Sequence, residues 1–205
     1  MKAKKVGDYV RAVPFAESFP PGNVGIFIDG FSMNRKQLEH VLRASGSVSG
    51  CREIVILGSQ AILGAYPKAP ANLVFSMEVD LYPLDAPDKA DLIDGCLGEM
   101  SPFHETFGYY AHGVGPETAA LPAGWKKRLV RLENANTGGT IGWCLSPADL
   151  AISKLMAGRE KDIDFIRGMF KSNLITEAAI KNVLGELKCE DAELALARLS
   201  YCLNY

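Results

Sequence analysis

Two spacings of apolar residues alternate along the chain, and the change between them predicts a mixed α/β fold. A helical spacing appears over 35–44, where Leu38, Val41 and Leu42 share one face and Asn34 is placed to cap the helix. Segments with a helical spacing or a helix-start signal predict helices over 35–44, from Gln60 to about Gly64, from Pro87 to about Met100, from Pro147 to near Gly158, over 161–171, after Thr176 and over 190–203. Short apolar runs predict strands at Gly25–Ile28, Glu53–Leu57, Leu73–Tyr82, Lys127–Glu133 and Thr140–Leu145, the last two joined as a hairpin.

The order of these elements divides the chain into a mixed part and a helical part. Residues 1–145 combine strands with helices, whereas 146–205 contain predicted helices alone. The segments Gly46–Gly50 and 101–125 are rich in small, glycine or proline residues, which predicts loops. We therefore expect an α/β (α+β) protein with a mixed β-sheet flanked by helices and a helical C-terminal part.

Composition and charge restrict the compartment and the partners. The formal net charge of −2 over 205 residues gives no broad basic surface for nucleic acid, so such a contact would need a local patch. The five cysteines are scattered and include no Cys-x-x-Cys pair, which fits a reducing compartment better than a disulfide framework. No apolar stretch approaches the roughly 20 residues of a membrane span, and no signal peptide is evident at the N-terminus. A cytoplasmic protein without a membrane partner is expected.

Gly58 and Ser59 form the first candidate site, a turn between a predicted strand and a predicted helix. Glycine allows a phosphate group to approach the backbone, and the free N–H groups at a helix start favour anions. An ordinary structural turn is the alternative for this pair.

Glu78 and Asp80 form the second candidate site. Residues two apart in a strand point to the same face, so both carboxylates project together from an otherwise apolar strand. Neighbouring carboxylates repel each other unless a cation lies between them, and Mg²⁺ is commonly held by one or two carboxylates together with substrate phosphates. A solvated strand face is the alternative.

The third candidate site contains charged residues around the predicted helix end at Gly158: Lys154, Arg159, Lys161, Asp162 and Asp164. Cations on two adjacent helices could hold phosphates, and an acid there could assist proton transfer or hold the lysine in place. A surface salt-bridge cluster is the alternative.

Two further sets of residues are better explained without a ligand. The histidines lack zinc-site spacing and are expected to be surface or packing residues: His40, His104 and His112. The basic residues after Trp125 could contact RNA, but a solvated hairpin edge explains them more simply: Lys126, Lys127, Arg128 and Arg131.

The first two sites, taken together, resemble a known signature. Leu57-Gly58-Ser59 followed by Glu78-Val79-Asp80-Leu81 is similar to the signature of the polymerase-β-like nucleotidyltransferase superfamily, in which Gly-Gly or Gly-Ser precedes an acid–hydrophobic–acid triplet. The run 145–162, from Leu145 through the Ser146-Pro147 helix start to Lys161-Asp162, resembles the second signature of the AbiEii-type, toxin–antitoxin-related bacterial branch. The resemblance extends from about Arg52 to Phe170.

This resemblance implies a catalytic domain over 1–145 and a helical subdomain over 146–205 that completes the active-site cleft. It implies transfer of a nucleoside monophosphate from an NTP to a hydroxyl, with Mg²⁺ or Mn²⁺ as cofactor and an antitoxin as a further partner. The acceptor stays open among tRNA, a protein and a small molecule. Glu78 and Asp80 would bind the metal, Gly58 and Ser59 the triphosphate, and Lys154 and Asp162 would act in catalysis. Arg159 and Lys161 would join Lys154 in binding the nucleotide.

The chain departs from the family signature in three respects. The spacer from Ser59 to Glu78 is longer than usual, the first acid is glutamate in place of aspartate, and the third carboxylate is not evident. Glu133, on the strand predicted before the hairpin turn, is the candidate for that third metal ligand. A catalytically inactive nucleotide-binding relative and a pure interaction protein are therefore the alternatives.

Overall fold

The computed structural model describes residues 32–204, so the strand predicted at Gly25–Ile28 lies outside the described residues. Its α-helices are α1 (Arg35–Ser49), α2 (Ile62–Ala65), α3 (Ala90–Leu97), α4 (Pro102–Phe107), α5 (Pro147–Ala157), α6 (Glu160–Lys171), α7 (Glu177–Leu184) and α8 (Cys189–Leu203). Its strands are β1 (Glu53–Ile56), β2 (Glu78–Pro83), β3 (Tyr110–Gly113), β4 (Val130–Leu132) and β5 (Ile141–Cys144).

The five strands form one mixed sheet in the order β3-β2-β1-β5-β4. The β1–β2 and β4–β5 pairs are antiparallel, whereas β1–β5 and β2–β3 are parallel. Helices flank this sheet and make up the C-terminal part. The expected α/β class with a mixed sheet and a helical C-terminus is therefore confirmed.

The first helix is longer than its apolar spacing predicts. Asn34 caps it as expected, and the helix continues through the glycine-containing segment that predicts a loop, ending at Ser49. A Cβ atom on Gly46 would lie 2.2 Å from the Thr140 hydroxyl oxygen. Gly46 therefore serves the close approach of this helix to the segment before β5, and it does not end the helix.

The predicted strand Leu73–Tyr82 is partly wrong, because only its second half belongs to the sheet. Residues Ala71–Leu73 form a 3₁₀ turn after Pro70, and β2 begins at Glu78. Leu73 and Val74 are nevertheless buried. An apolar run is compatible with a buried turn as well as with a strand, which explains the error.

Two other predicted regions also differ from the structure. The helix predicted to reach Met100 ends at Leu97, and Met100 itself has a positive φ of 62°. The segment 101–125, predicted as a loop, contains α4 and the edge strand β3. This strand of four residues follows directly on a helix, so its alternating pattern is too short to separate from its surroundings.

The C-terminal helices follow their predicted start signals. Ser146 caps α5, Gly158 ends it, and Thr176 caps α7. One apolar cluster contains residues from both sides of the boundary at 145/146, including Leu57 and Ile152. The division into 1–145 and 146–205 stays a prediction. Across residues 32–204, the helices are all too short or too polar to cross a membrane.

Candidate active site

The candidate site lies at the end of the sheet where β1 stops and β2 starts. Because these strands are antiparallel, the first residues of β2 lie beside the turn that follows β1, and the Leu57 amide donates to the Asp80 carbonyl at 2.9 Å. The buried Gln60 side chain donates to the Ser76 carbonyl at 2.9 Å, which ties the turn to the segment entering β2. The fold thus brings together the first two candidate sites of the sequence.

Gly58 lies directly against the carboxylate of Asp80. Its backbone has φ 60° and ψ −169°, a region that side-chain-bearing residues rarely adopt. A Cβ atom at this position would lie 2.3 Å from Oδ2 of Asp80. Glycine is therefore needed both for the backbone conformation and for the space that the carboxylate occupies.

Three ligand-type side chains converge next to this turn. Strand β3 is parallel to β2, and its register places His112 opposite Asp80 and Tyr110 opposite Glu78. Nδ1 of His112 lies 3.0 Å from Oδ1 of Asp80 and 3.6 Å from Oε1 of Glu78. One donor atom from each of Glu78, Asp80 and His112 lies within 4.8 Å of the other two. These three residues are called the acid–histidine cluster below.

Burial, hydrogen bonds and charge shift the pKa of His112 and of the neighbouring Tyr110. Burial lowers the pKa of His112, but its hydrogen bond to Asp80 and the charges of Glu78 and Asp80 outweigh burial, so the pKa is raised. The Tyr110 hydroxyl donates to Oε2 of Glu78 at 2.9 Å. Burial and this contact raise the pKa of Tyr110 well above its ordinary value, so its hydroxyl remains a donor to the carboxylate.

The donor set of the cluster fits a divalent cation. Two carboxylates offer hard oxygen ligands, the imidazole offers a nitrogen, and the spacing of the donors allows one ion to contact all three. The side chains of Glu78, Asp80 and His112 are 37%, 28% and 48% exposed, so the cluster also opens to ligands from solution.

Lys154 and Arg159 form the opposite wall, at the corner between α5 and α6, and Asp162 lies buried behind them. The Lys154 ammonium donates to Oδ1 of Asp162 at 2.9 Å, and Nε of Arg159 donates to Oδ2 at 2.7 Å. Burial raises the pKa of Asp162, but the two cationic donors outweigh it and leave the pKa lowered. Asp162 is fully buried and is therefore placed to hold the two cations, not to contact a substrate.

A cleft of about 820 Å³ separates the two walls. Ser59, Asp80 and His112 line it from the sheet, and Lys154, Arg159 and Lys161 line it from the helices. A neighbouring cavity of about 310 Å³ is lined by Gly58, Asp80, Lys154 and Arg159 among others. The hydrogen bond to Asp162 is the main cause of the raised pKa of Arg159, and the charge of Asp80 adds to it. Cations and carboxylates therefore face one shared space.

The structure contradicts the assignment of Glu133 as the third metal ligand. Glu133 follows β4 at the far edge of the sheet, close to the level where Leu132 pairs with Gly142. It forms ion pairs with Arg131 and with Arg52, which precedes β1. Glu78 and Asp80 lie beyond the other end of β1, so Glu133 cannot share an ion with them.

The basic residues before β4 are only partly available for binding. Arg128 is held by Asp149, which is fully buried, and by Glu186, each at 2.7 Å. Arg131 is paired with Glu133. Lys126 and Lys127 are exposed, and Lys126 lies over the Trp125 ring.

Sequence reasoning overlooked His112 because it treated the histidines by their spacing along the chain. The useful signal was the alternation Tyr110-Ala111-His112, in which the middle residue is buried and the outer two face the acids. That alternation matches Glu78-Val79-Asp80 on the adjacent strand, residue for residue. Pairing the two triplets requires knowing that β3 lies beside β2, and the sequence of a short edge strand does not indicate its neighbour in the sheet.

Comparison with known proteins adds one finding to this geometry. The model of a family described as "Nucleotidyltransferase of unknown function (DUF6036)" matches residues 36–195. No curated protein and no solved structure matches the chain significantly.

Proposed function

The chain belongs to this nucleotidyltransferase family, and on that premise we propose that it transfers a nucleoside monophosphate from an NTP to a hydroxyl acceptor at the cleft described above. The proposed reaction joins the acceptor oxygen to the α-phosphorus and releases pyrophosphate and a proton. Glu78 and Asp80 would hold Mg²⁺ or Mn²⁺ for this reaction.

The observation that carries the proposal is the opposition of charges across the cleft. Asp80 lies on one wall against Gly58, and Lys154 and Arg159 lie on the other, with all four residues lining the same cavity. An NTP needs a cation-binding group beside its phosphates and cationic side chains around the charge that develops during transfer. This cleft offers both.

Each of the chain's own residues has a role in this proposal. Gly58 and Ser59 would contact the triphosphate, since the glycine lets phosphate approach the backbone and Ser59 opens the 3₁₀ turn. Arg159, whose side chain is 61% exposed, and Lys161 would bind phosphate oxygens in the cleft. When bound, the metal ion would neutralise phosphate charge and polarise the phosphoryl group.

Lys154 and Asp162 would have different roles from each other. Lys154 lines both cavities, so its ammonium can stabilise the departing pyrophosphate. Asp162 is buried beneath it and would be a positioning residue that keeps Lys154 and Arg159 in place. This assignment replaces the direct catalytic role that the resemblance implies for Asp162.

The acceptor and the biological setting belong to the same proposal. The 145–162 run supports the AbiEii-type branch, which would make the chain a bacterial, cytoplasmic toxin with an antitoxin partner. A tRNA or a protein would then be the acceptor. The near-neutral net charge favours an acceptor that is gripped locally, at exposed residues such as Lys126 and Lys127.

A catalytically inactive nucleotide-binding or protein-interaction relative is the second candidate. The observation that favours it is the composition of the acid–histidine cluster, because within residues 32–204 its third member is a histidine and not a carboxylate. Such a relative would bind NTP and metal, or a protein partner, without turnover.

Incubation of the purified chain with each labelled NTP, Mg²⁺ or Mn²⁺ and a bacterial lysate tests the proposal. We expect transfer of label to RNA or protein by the wild type and by the exposed control Asp88→Asn, but not by Asp80→Asn. Metal-dependent NTP binding without transfer would favour the inactive relative. Equal NTP binding by wild type and Asp80→Asn, with and without metal, would overturn the metal site itself.

A further inference from the structure

The acid–histidine cluster contains one ligand that a magnesium site does not need. We propose that His112 is the third protein ligand of the metal centre and that it makes the centre select a transition-metal dication, Mn²⁺, over Mg²⁺. This inference rests on the proposed function, because it concerns the ion held by Glu78 and Asp80.

The backbone fixes the position of His112 relative to the acids. Strands β2 and β3 pair in parallel, with Asp80 opposite His112 and Glu78 opposite Tyr110. Side chains that lie opposite each other on neighbouring strands share a face and stay close without help from flexible loops. The sheet pairing therefore holds the His112 imidazole beside the two carboxylates.

The distances suit shared coordination. Around an ion with ligand bonds of about 2.1 Å in an octahedron, adjacent donor atoms lie about 3 Å apart. Nδ1 of His112 is 3.0 Å from Oδ1 of Asp80 and 3.6 Å from Oε1 of Glu78. The first separation matches the edge of one coordination sphere and the second is somewhat longer, and the proton of the His112–Asp80 hydrogen bond would be released when an ion binds.

The Glu78 carboxylate is oriented for this role by Tyr110. The phenol donates to Oε2, while Oε1 is the oxygen that lies toward His112. Hydrogen bonds of this kind to a metal-binding carboxylate fix its orientation and tune its affinity. One oxygen of Glu78 is thus restrained and the other faces the shared space.

Ligand chemistry then determines the choice of ion. Mg²⁺ prefers oxygen donors and keeps several waters, whereas an imidazole nitrogen binds first-row transition ions more strongly. Among these ions Mn²⁺ shares the preference of Mg²⁺ for carboxylate oxygen, and as a first-row transition ion it gains more than Mg²⁺ from an added nitrogen ligand, although less than the later ions of the series. A site with two carboxylates and one imidazole, half open to the cleft, therefore favours Mn²⁺ and leaves positions for phosphate oxygens.

Separate titrations of the purified full chain with Mn²⁺ and with Mg²⁺, each without NTP, together with electron paramagnetic resonance of the Mn²⁺-bound protein, test the proposal. We expect tighter binding of Mn²⁺ than of Mg²⁺ and a ¹⁴N coupling on bound Mn²⁺. His112→Ala should remove the coupling and weaken Mn²⁺ binding by at least about 10-fold, the lower end of the loss seen when even an outer partner of a metal ligand is removed. It should change Mg²⁺ binding much less.

His40→Gln is the matched control, because it removes an imidazole that hydrogen-bonds Tyr109 outside the cluster. It should keep both the coupling and the affinity. Wild-type Mn²⁺ without ¹⁴N coupling, or unchanged affinity in a folded His112→Ala, would overturn the ligand role of His112. If Asp80→Asn abolishes metal binding and His112→Ala does not, the ligand role of His112 fails but the proposed function survives. If the wild type binds neither ion, with or without NTP, the proposed function fails as well.

Discussion

The carboxylate of Asp80 packs directly against Gly58, in the space that a side chain at position 58 would need. Oδ2 of Asp80 lies 2.3 Å from the position that a Cβ atom of residue 58 would take. The turn after β1 and the second residue of the Glu78-Val79-Asp80 triplet are therefore coupled sterically. A change at Gly58 must move the proposed metal ligand.

We expect Gly58→Ala to weaken metal-dependent NTP binding by displacing Asp80, and to lower stability. Left-handed backbone costs an L-residue roughly 1–2 kcal/mol, and the ψ of Gly58 makes the strain worse. Gly50→Ala is the control, since Gly50 also has a positive φ but has open space around it. Calorimetric titration should show weaker metal-dependent NTP binding for Gly58→Ala and normal binding for Gly50→Ala. Normal binding by Gly58→Ala would show that the turn does not position the metal ligand.

The Tyr110 hydroxyl should matter for metal affinity without contacting the metal. We expect Tyr110→Phe to weaken binding of Mn²⁺ or Mg²⁺ by about 10–100-fold, because Glu78 loses the donor that orients it. Tyr109→Phe removes a neighbouring hydroxyl that bonds to His40. That variant should retain the wild-type dissociation constant, and equal losses in both variants would point to a general effect on β3.

Local signals predicted the parts of the fold that depend on few residues. The caps at Asn34, Ser146 and Thr176 act within three residues of the helix start, so the sequence alone identified them. The shared face of Glu78 and Asp80 follows from strand periodicity in the same way.

Pairings across long sequence distances were not accessible in this manner. Ala111 and its neighbours pair with β2 some 30 positions away in the numbering, so nothing near His112 indicates its partners. The prediction that Glu133 is a metal ligand was wrong for the same reason, because the location of Glu133 depends on the order of the strands in the sheet. The sequence gives residue types, whereas the order β3-β2-β1-β5-β4 decides which of them meet.

Lys154 is expected to be important for turnover. Lys154→Met should reduce the rate of NMP transfer by roughly 10²-fold or more, because a cation beside the leaving pyrophosphate is lost. Lys161→Met removes an exposed cation of the same cleft that has no contact with Asp162 among the described ion pairs. It should reduce the rate less. An unchanged rate and a normal melting temperature in Lys154→Met would restrict Lys154 to its salt bridge.

Asp162 should make stability depend on pH in the acid range. Its folded-state pKa is lowered, so its ionised form stabilises the fold above about pH 4, and this contribution disappears as the pH falls through the lowered value. Asp162→Asn leaves Lys154 buried without its carboxylate, which should cost about 3–5 kcal/mol at pH 7.

The difference between wild type and Asp162→Asn should therefore shrink as the pH falls below about 4. Urea unfolding at a series of pH values measures it. Asp164→Asn, on the same helix, changes a largely exposed carboxyl and should cost little at any pH. A difference that stays constant from neutral to acid pH would contradict the assigned role of the Asp162 carboxylate.

The exposed lysines before β4 provide the test of an RNA acceptor. Arg128 and Arg131 are occupied by ion pairs, so reversing their charges would disturb the fold as well as any contact. Lys126→Glu with Lys127→Glu changes two exposed charges, and among the described contacts it removes the stacking of Lys126 over the Trp125 ring and the attraction of Lys127 for Glu186. If RNA is the acceptor, this double variant should lower modification and reduce the slope of affinity against log salt by about 1 for each lysine, while NTP binding stays unchanged.

The exposed pair Lys171→Glu with Lys188→Glu makes the same change in net charge elsewhere on the chain. It controls for long-range electrostatics, which depend on total charge and not on position. Equal effects of the two double variants would show that no local RNA contact exists at Lys126 and Lys127. Modification that is unchanged in both, at every salt concentration, would instead favour a protein acceptor, because a protein does not release condensed counterions from a phosphate backbone.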